Sequence, residues 1–89
     1  MMELRKFKHV KNNKTVYAVI GAKSINEAMD YVYKYKKDEY IDFSINHRAT
    51  VGYIYKNNLY AGKVLDAPIK EQIPCIIVYR KTIDILSYA

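Results

Sequence analysis

The chain has 89 residues, of which 51% are apolar or aromatic and 27% are charged. This length allows one domain with one core, because domains typically run to roughly 100–150 residues, and the apolar content excludes a disordered chain. No apolar run approaches the roughly 20 residues of a membrane-spanning helix. The single cysteine, Cys75, excludes an intramolecular disulfide framework. We therefore expect one soluble domain in a reducing compartment such as the cytoplasm, or the host cytoplasm if a virus encodes it.

The net charge of +6 is unevenly distributed. Residues 1–23 carry six lysine or arginine residues and one glutamate, a local charge of +5, whereas residues 66–89 are neutral overall. A local basic patch is typical of a protein that binds a polyanion.

The first predicted elements form a hairpin. Residues 15–20 are β-branched and apolar, and residues 4–10 are the candidate partner strand. Residues 11–14 predict a tight turn, because asparagine tolerates a positive φ. The alternation of the first strand is poor, so residues 1–14 are also a candidate for a projecting basic hairpin arm.

The clearest element is a helix at about 25–38. Ser24 and Glu27 have the spacing of a capping box, in which serine caps the first turn and glutamate follows three residues later. Acidic residues lead and lysines follow, which suits the helix dipole. One face at helical spacing is apolar: Ile25, Ala28, Met29, Val32, Tyr33 and Tyr35.

The rest of the chain predicts mainly strands. Residues 41–46 alternate between apolar and polar side chains, as a half-buried strand does. Residues 50–56 and 59–64 predict a second hairpin around Asn57 and Asn58, a turn that sets Tyr55 opposite Tyr60. Residues 66–74 predict a loop or a single helical turn. Residues 75–79 are uniformly apolar, as in a strand covered on both faces, and residues 82–89 are ambiguous between strand and short helix.

The predicted order is therefore ββαββββ. It indicates an α+β fold with one antiparallel or mixed sheet of about five to six strands and a single amphipathic helix packed on one face.

Catalytic and metal-binding patterns are weak. Asp42, His47 and Arg48 could be drawn together as a hydrolytic or nuclease-like group, but a solvated strand face followed by a polar turn explains them more simply. No metal-ligand spacing and no glycine-rich phosphate loop is present, so we expect no metal and no cofactor. Cys75 lies in the most apolar run, where a thiol is usually an inert core group. We expect a binding protein and not an enzyme.

Nucleic acid is the leading expected partner. Basic side chains hold phosphate, and exposed aromatic rings on a sheet stack bases. The candidate nucleic-acid-binding residues are the cations of the N-terminal hairpin and a second group around the tyrosines: Arg5, Lys6, Lys8, Lys11, Lys14, Arg48, Tyr53, Tyr55 and Lys56. For the tyrosines, cross-strand packing in the core is the favoured interpretation.

The alternative is a protein–protein module or inhibitor, of a kind that a virus or mobile element encodes, acting as a homodimer. The chain contains ten tyrosines, a residue enriched in interface cores. A small open sheet also gains stability when its edges pair with another copy.

Overall fold

The computed structural model describes residues 1–9, 11–37, 40–81, 83 and 87–88. The ends predicted for the first strand, at Val10, and for the first helix, at Asp38, lie outside these residues. The elements in chain order are β1 (Glu3–Lys8), β2 (Thr15–Ile20), α1 (Ile25–Tyr35), α2 (Tyr40–Asn46), β3 (His47–Tyr55), β4 (Asn58–Tyr60), β5 (Ile73–Arg80) and β6 (Ser87–Tyr88).

The six strands form one sheet in the order β1-β2-β5-β3-β4-β6, and every pairing is antiparallel. The α+β prediction is confirmed. The apolar strand predicted at 75–79 is the centre of β5, which lies between β2 and β3. Of the ambiguous tail, Ser87 and Tyr88 pair with β4 as a short strand.

Both sides of the sheet are packed. On the side that carries the helices, here called the helix side, Tyr17, Val19 and Val78 pack with Ala28 and Val32 of α1 and Phe43 of α2. On the opposite side, a second buried cluster contains Val16, Ala18, Ile54, Leu59, Cys75, Ile77 and Ile83. The apolar content of a short chain is therefore divided between two clusters. No helix in the described residues is long and apolar enough to cross a membrane.

Helix α1 begins as the capping box predicts. The Ser24 hydroxyl accepts a hydrogen bond from the backbone N–H of Glu27 at 3.1 Å. The Glu27 carboxylate accepts from the backbone N–H of Lys23 at 3.2 Å, one residue before the expected partner. Ala28 and Val32 are fully buried, whereas Ile25 and Tyr35 at the two ends of the predicted apolar face are exposed.

The strand predicted at 41–46 is wrong, because these residues form helix α2. Of its three alternating apolar residues only Phe43 is buried, while Ile41 and Ile45 are exposed. Asn46 donates a side-chain hydrogen bond to Asp42, four residues earlier, at 2.6 Å. One buried residue is enough to pack a short surface helix against the sheet. The alternation of apolar and polar residues therefore does not reflect two faces of a strand.

The second hairpin forms, but the predicted register is wrong. The turn residues are Lys56 and Asn57, with φ of 50° and 66°, so Tyr55 opposes Asn58 and Tyr53 opposes Tyr60. This register sets Ile54 directly opposite Leu59, and both are almost completely buried. Burial of this pair outweighs the cost of a left-handed lysine, which is about 1–2 kcal/mol.

The expectation that the tyrosine face of this hairpin is the core is also wrong. Tyr53, Tyr55 and Tyr60 share one face, as predicted, but each is only half-buried. The opposite face provides the core through Ile54 and Leu59. Two aliphatic side chains suffice there because Cys75, Ile77 and Ile83 pack against them from other parts of the chain.

The connection from β4 to β5 is held by one buried amide. Gln72 accepts from the backbone N–H of Val64 at 2.8 Å and donates to the Val64 carbonyl at 2.7 Å. The same amide nitrogen lies 3.2 Å from the Ala67 carbonyl. The predicted helical turn is a 3-10 turn at Ile69–Glu71, preceded by Pro68, and Asp66 does not cap it.

Candidate nucleic-acid interface

One end of the sheet collects residues from four separate parts of the chain. Lys8 pairs with Thr15 where β1 and β2 meet their turn, and His47 pairs with Arg80 at the adjoining ends of β3 and β5. Helix α1 starts after the far end of β2 and runs back, so its last residues reach the same end. There Tyr35 contacts Tyr17 edge-to-face, with ring centroids 6.4 Å apart.

The turn between β1 and β2 holds Lys14 against this end. The backbone N–H of His9 donates to the Lys14 carbonyl at 2.8 Å, and His9 is buried. Asn13 adopts a φ of 58°, and the Asn12 side chain accepts from the Lys14 N–H at 3.1 Å. Asn13 therefore adopts the positive φ that the sequence predicts, whereas Asn12 acts through its side chain.

These elements enclose a cavity of about 350 Å³, here called the basic cleft. Its cationic lining comes from Lys14 in the turn, Lys36 at the end of α1 and Arg80 at the end of β5. His47, Tyr17 and Phe43 also line it. Lys36 follows the last helical residue, and its backbone N–H donates to the Val32 and Tyr33 carbonyls.

A second depression of about 310 Å³ adjoins the basic cleft and shares Lys14 and Arg80 with it. Its other lining residues are Asn46 and Lys81, and the Lys81 backbone N–H donates to the Asn46 carbonyl at 2.8 Å. Four cationic side chains thus surround two adjoining concavities. In the described part of the chain, the only ion pair that these four make joins Arg80 to Asp42 at 3.0 Å, and both partners are well exposed.

His47 forms the inner wall of the basic cleft. Its ring stacks on Phe43, four residues earlier, with centroids 3.9 Å apart and an interplanar angle of 18°. His47 Nδ1 lies 2.8 Å from the Phe43 carbonyl oxygen. A carbonyl only accepts, so this geometry assigns the donor role to Nδ1. The stack fixes the orientation of the ring at the junction of α2 and β3.

The structure brings only some of the predicted site residues to this end. Lys8 and Lys11 are exposed there, as is Lys14, and Arg48 is the second residue of β3. The other two cations of the hairpin have partners along β1: Arg5 pairs with Glu3 at 2.7 Å, and Lys6 donates a hydrogen bond to the Tyr35 hydroxyl. That hydrogen bond lowers the pKa of Tyr35 and raises the pKa of Lys6.

The predicted aromatic group lies at the other end of β3. Tyr53 and Tyr55 are the third-last and last residues of the strand, and the Lys56 ammonium sits 5.4 Å from the centroid of the Tyr55 ring. Tyr55 lies seven positions after Arg48 along the extended strand, a distance of roughly 23 Å at 3.3 Å per residue. The nine predicted site residues therefore do not form one surface.

Four residues of the basic end were missed by sequence reasoning as members of a binding site: Lys36, His47, Arg80 and Lys81. Two local signals pointed to three of them. Lys36 interrupts the apolar face predicted for the helix, and Arg80–Lys81 follows directly after the apolar run at 75–79. The convergence of Arg80 and Lys81 with Lys14 depends on the pairing of β2 with β5, between residues about 60 positions apart, which no local pattern contains.

The hydrolytic group considered from the sequence is divided between different partners. Asp42 bonds to Arg80 and Asn46, and His47 contacts Phe43. The described residues contain no group of three or more histidine, cysteine or acidic side chains arranged to hold a metal ion. Comparison of the chain with protein-family models, curated proteins and solved structures finds no match in any of the three.

Proposed function

We propose that this protein is a non-enzymatic binding protein whose basic cleft contacts the phosphate backbone of a nucleic acid. The observation that carries the proposal is the convergence of Lys14, Lys36 and Arg80 on one cavity from a turn, a helix end and a strand end. Like charges repel, so their collection at one site costs stability unless an anion is bound there.

The composition of the basic cleft favours recognition by charge and not by base identity. Of the aromatic side chains in its wall, Tyr17 and Phe43 are buried, and the half-buried His47 ring already stacks on Phe43, so the cleft offers little ring surface for stacking on bases. Lysine and arginine contacts to phosphate position a protein on nucleic acid without reading sequence. We expect similar affinity for different sequences and a strong dependence on salt.

A fluorescence anisotropy titration tests the proposal. Labelled single- and double-stranded oligonucleotides are titrated with the protein at two salt concentrations. Each phosphate contact makes the slope of log K against the logarithm of salt concentration more negative, by about 0.7 for single strands and 0.9 for duplex DNA. Arg80→Gln and Lys14→Gln should each weaken binding and reduce the slope by about one contact.

Lys23→Gln and Lys70→Gln are matched controls, because they remove the same charge from exposed positions at the other end of the sheet. They should change affinity less than the cleft variants do. Absence of binding at low salt, or equal losses from all four variants, would contradict a site in the basic cleft.

A further inference from the structure

Strand β1 is an edge of the sheet. Among the residues that the structure describes, its only strand neighbour is β2, with which it pairs from Glu3 to Lys8. The outward-facing backbone groups of an edge strand are a template for pairing with another strand. Beside this edge runs a groove of about 830 Å³ between β1 and α1.

The groove is apolar at one end and basic at the other. Met2, which precedes β1, and Leu4 of β1 line it together with Tyr31 of α1, whose hydroxyl donates to the Met2 carbonyl at 3.4 Å. Lys6 lies over the Tyr35 ring at 4.4 Å and closes the basic end. Met2 and Leu4 are only half-buried by the chain itself.

We propose that a second copy of this chain occupies this edge, with the two β1 strands antiparallel and Leu4 opposite the partner's Leu4. A twofold axis perpendicular to the sheet, which keeps both α1 helices on one side, lies midway between the two β1 strands, so one β1 residue pairs with its own copy. The choice of that residue determines which charges face each other.

The charges along β1 favour the axis at Leu4 over the other positions. An axis at Glu3, Arg5 or Lys6 sets that charge opposite its own copy, and an axis at Phe7 sets Lys6 opposite the partner's Lys8. With the axis at Leu4, Glu3 faces the partner's Arg5 on one side of the sheet, and Arg5 faces the partner's Glu3. The two residues already pair within one chain at 2.7 Å, so their side chains lie on the same side of β1, where the partner's charges arrive.

The same register also places apolar side chains of the partner beside the groove. Leu4 meets the partner's Leu4 on the helix side, and Met2 lies beside the aliphatic stem of the partner's Lys6. The antiparallel arrangement points the two basic ends in opposite directions, so the cationic clefts do not repel each other across the interface. In this register residues 1–7 of the two chains face each other, and within the strands only Glu3–Arg5 lie opposite the partner's β1. So short a pairing buries less than the roughly 1,200–2,000 Å² of a stable interface, so the dimer is concentration-dependent.

Sedimentation velocity without nucleic acid, over a series of protein concentrations, tests this inference. The mass should rise from 10.4 kDa towards twice that value. Glu3→Arg sets two arginines face to face at both symmetric positions, and Arg5→Glu sets two carboxylates face to face. Each should raise the dimer dissociation constant about tenfold or more.

The double variant Glu3→Arg/Arg5→Glu restores opposite charges across the axis and should recover the wild-type dissociation constant. Glu71→Arg is the matched control, since it makes the same charge change at an exposed residue of the 3-10 turn. A wild-type chain that stays at 10.4 kDa overturns the proposal. So does a dimer that tolerates Glu3→Arg as well as Glu71→Arg, or a double variant that stays monomeric although its circular dichroism is native.

Discussion

The guanidinium of Arg80 lies 3.0 Å from the carboxylate of Asp42, so an acid from α2 holds the cation shared by the two basic depressions. Asn46, at the end of the same short helix, fixes that carboxylate from its other side. Asp42 therefore orients Arg80 and at the same time competes with any anion that approaches it.

Replacement of Asp42 by asparagine should strengthen nucleic-acid binding. The amide keeps the size of the side chain and removes the competing negative charge beside Arg80. Exposed ion pairs are worth about 0.2–1 kcal/mol, so the expected gain is up to about fivefold at low salt. Anisotropy titration measures it, with Glu71→Gln as the control for net charge. An unchanged or weaker affinity for Asp42→Asn would place Arg80 outside the interface.

The corrected register predicts which side of the second hairpin supports the fold. Ile54→Ala removes a fully buried side chain and should lower the free energy of unfolding by about 2–5 kcal/mol. Tyr55→Ala removes a half-buried ring and should cost about 1 kcal/mol, the scale of a lost cross-strand contact. Urea denaturation measures both, and Ile54→Val, at about 0.5–1.5 kcal/mol, replaces Ile54→Ala if that variant does not fold.

The two tyrosine interpretations differ in binding as well. Because Tyr55 lies roughly 23 Å along β3 from the basic end, a folded Tyr55→Ala variant should bind oligonucleotides like the wild type. A loss of binding in that variant, with stability retained, would make the tyrosines part of the interface.

Gly52 is required by the packing of Ile77. A Cβ added at Gly52 would collide with the Ile77 side chain and lie 2.8 Å from the Tyr60 carbonyl oxygen. Gly52→Ala should therefore lower the free energy of unfolding by about 1–3 kcal/mol through overpacking. Gly62→Ala is the matched control, because a Cβ there meets no atom within 4 Å. Equal thermal midpoints for the two variants would contradict this arrangement.

The thiol of Cys75 should be inert in the folded chain. It is 5% exposed, and burial raises its pKa to about 11. Thiol reagents should label it near neutral pH only after denaturation. The folded pKa exceeds the unfolded value of about 8.5, so the thiol's contribution to stability is complete below about pH 8.5 and is lost as the pH rises towards 11. A Cys75→Ala variant should show a shallower loss over this range. Rapid labelling of the native protein would contradict the burial.

Local signals predicted the elements that local interactions determine. Helix α1 follows from Ser24, Glu27 and an apolar face with the helical period. The second hairpin shows that local signals do not determine strand register. Asparagine at 57 and 58 suits a turn better than Lys56 does, but burial of Ile54 against Leu59 determines the register. The basic cleft could not be predicted from local sequence patterns, because Lys14 and Arg80 come together only when β5 pairs with β2 and β3.

The position of β5 also has a consequence for synthesis. Strand β5 follows both of its neighbours in the sheet, β2 and β3, along the chain, so it leaves the ribosome after them. Until residues 73–80 emerge, the inner edges of β2 and β3 have no partner, and exposed strand edges favour aggregation. The two parts of the sheet therefore join late and through contacts distant in sequence, which predicts slow folding compared with helical domains of this size.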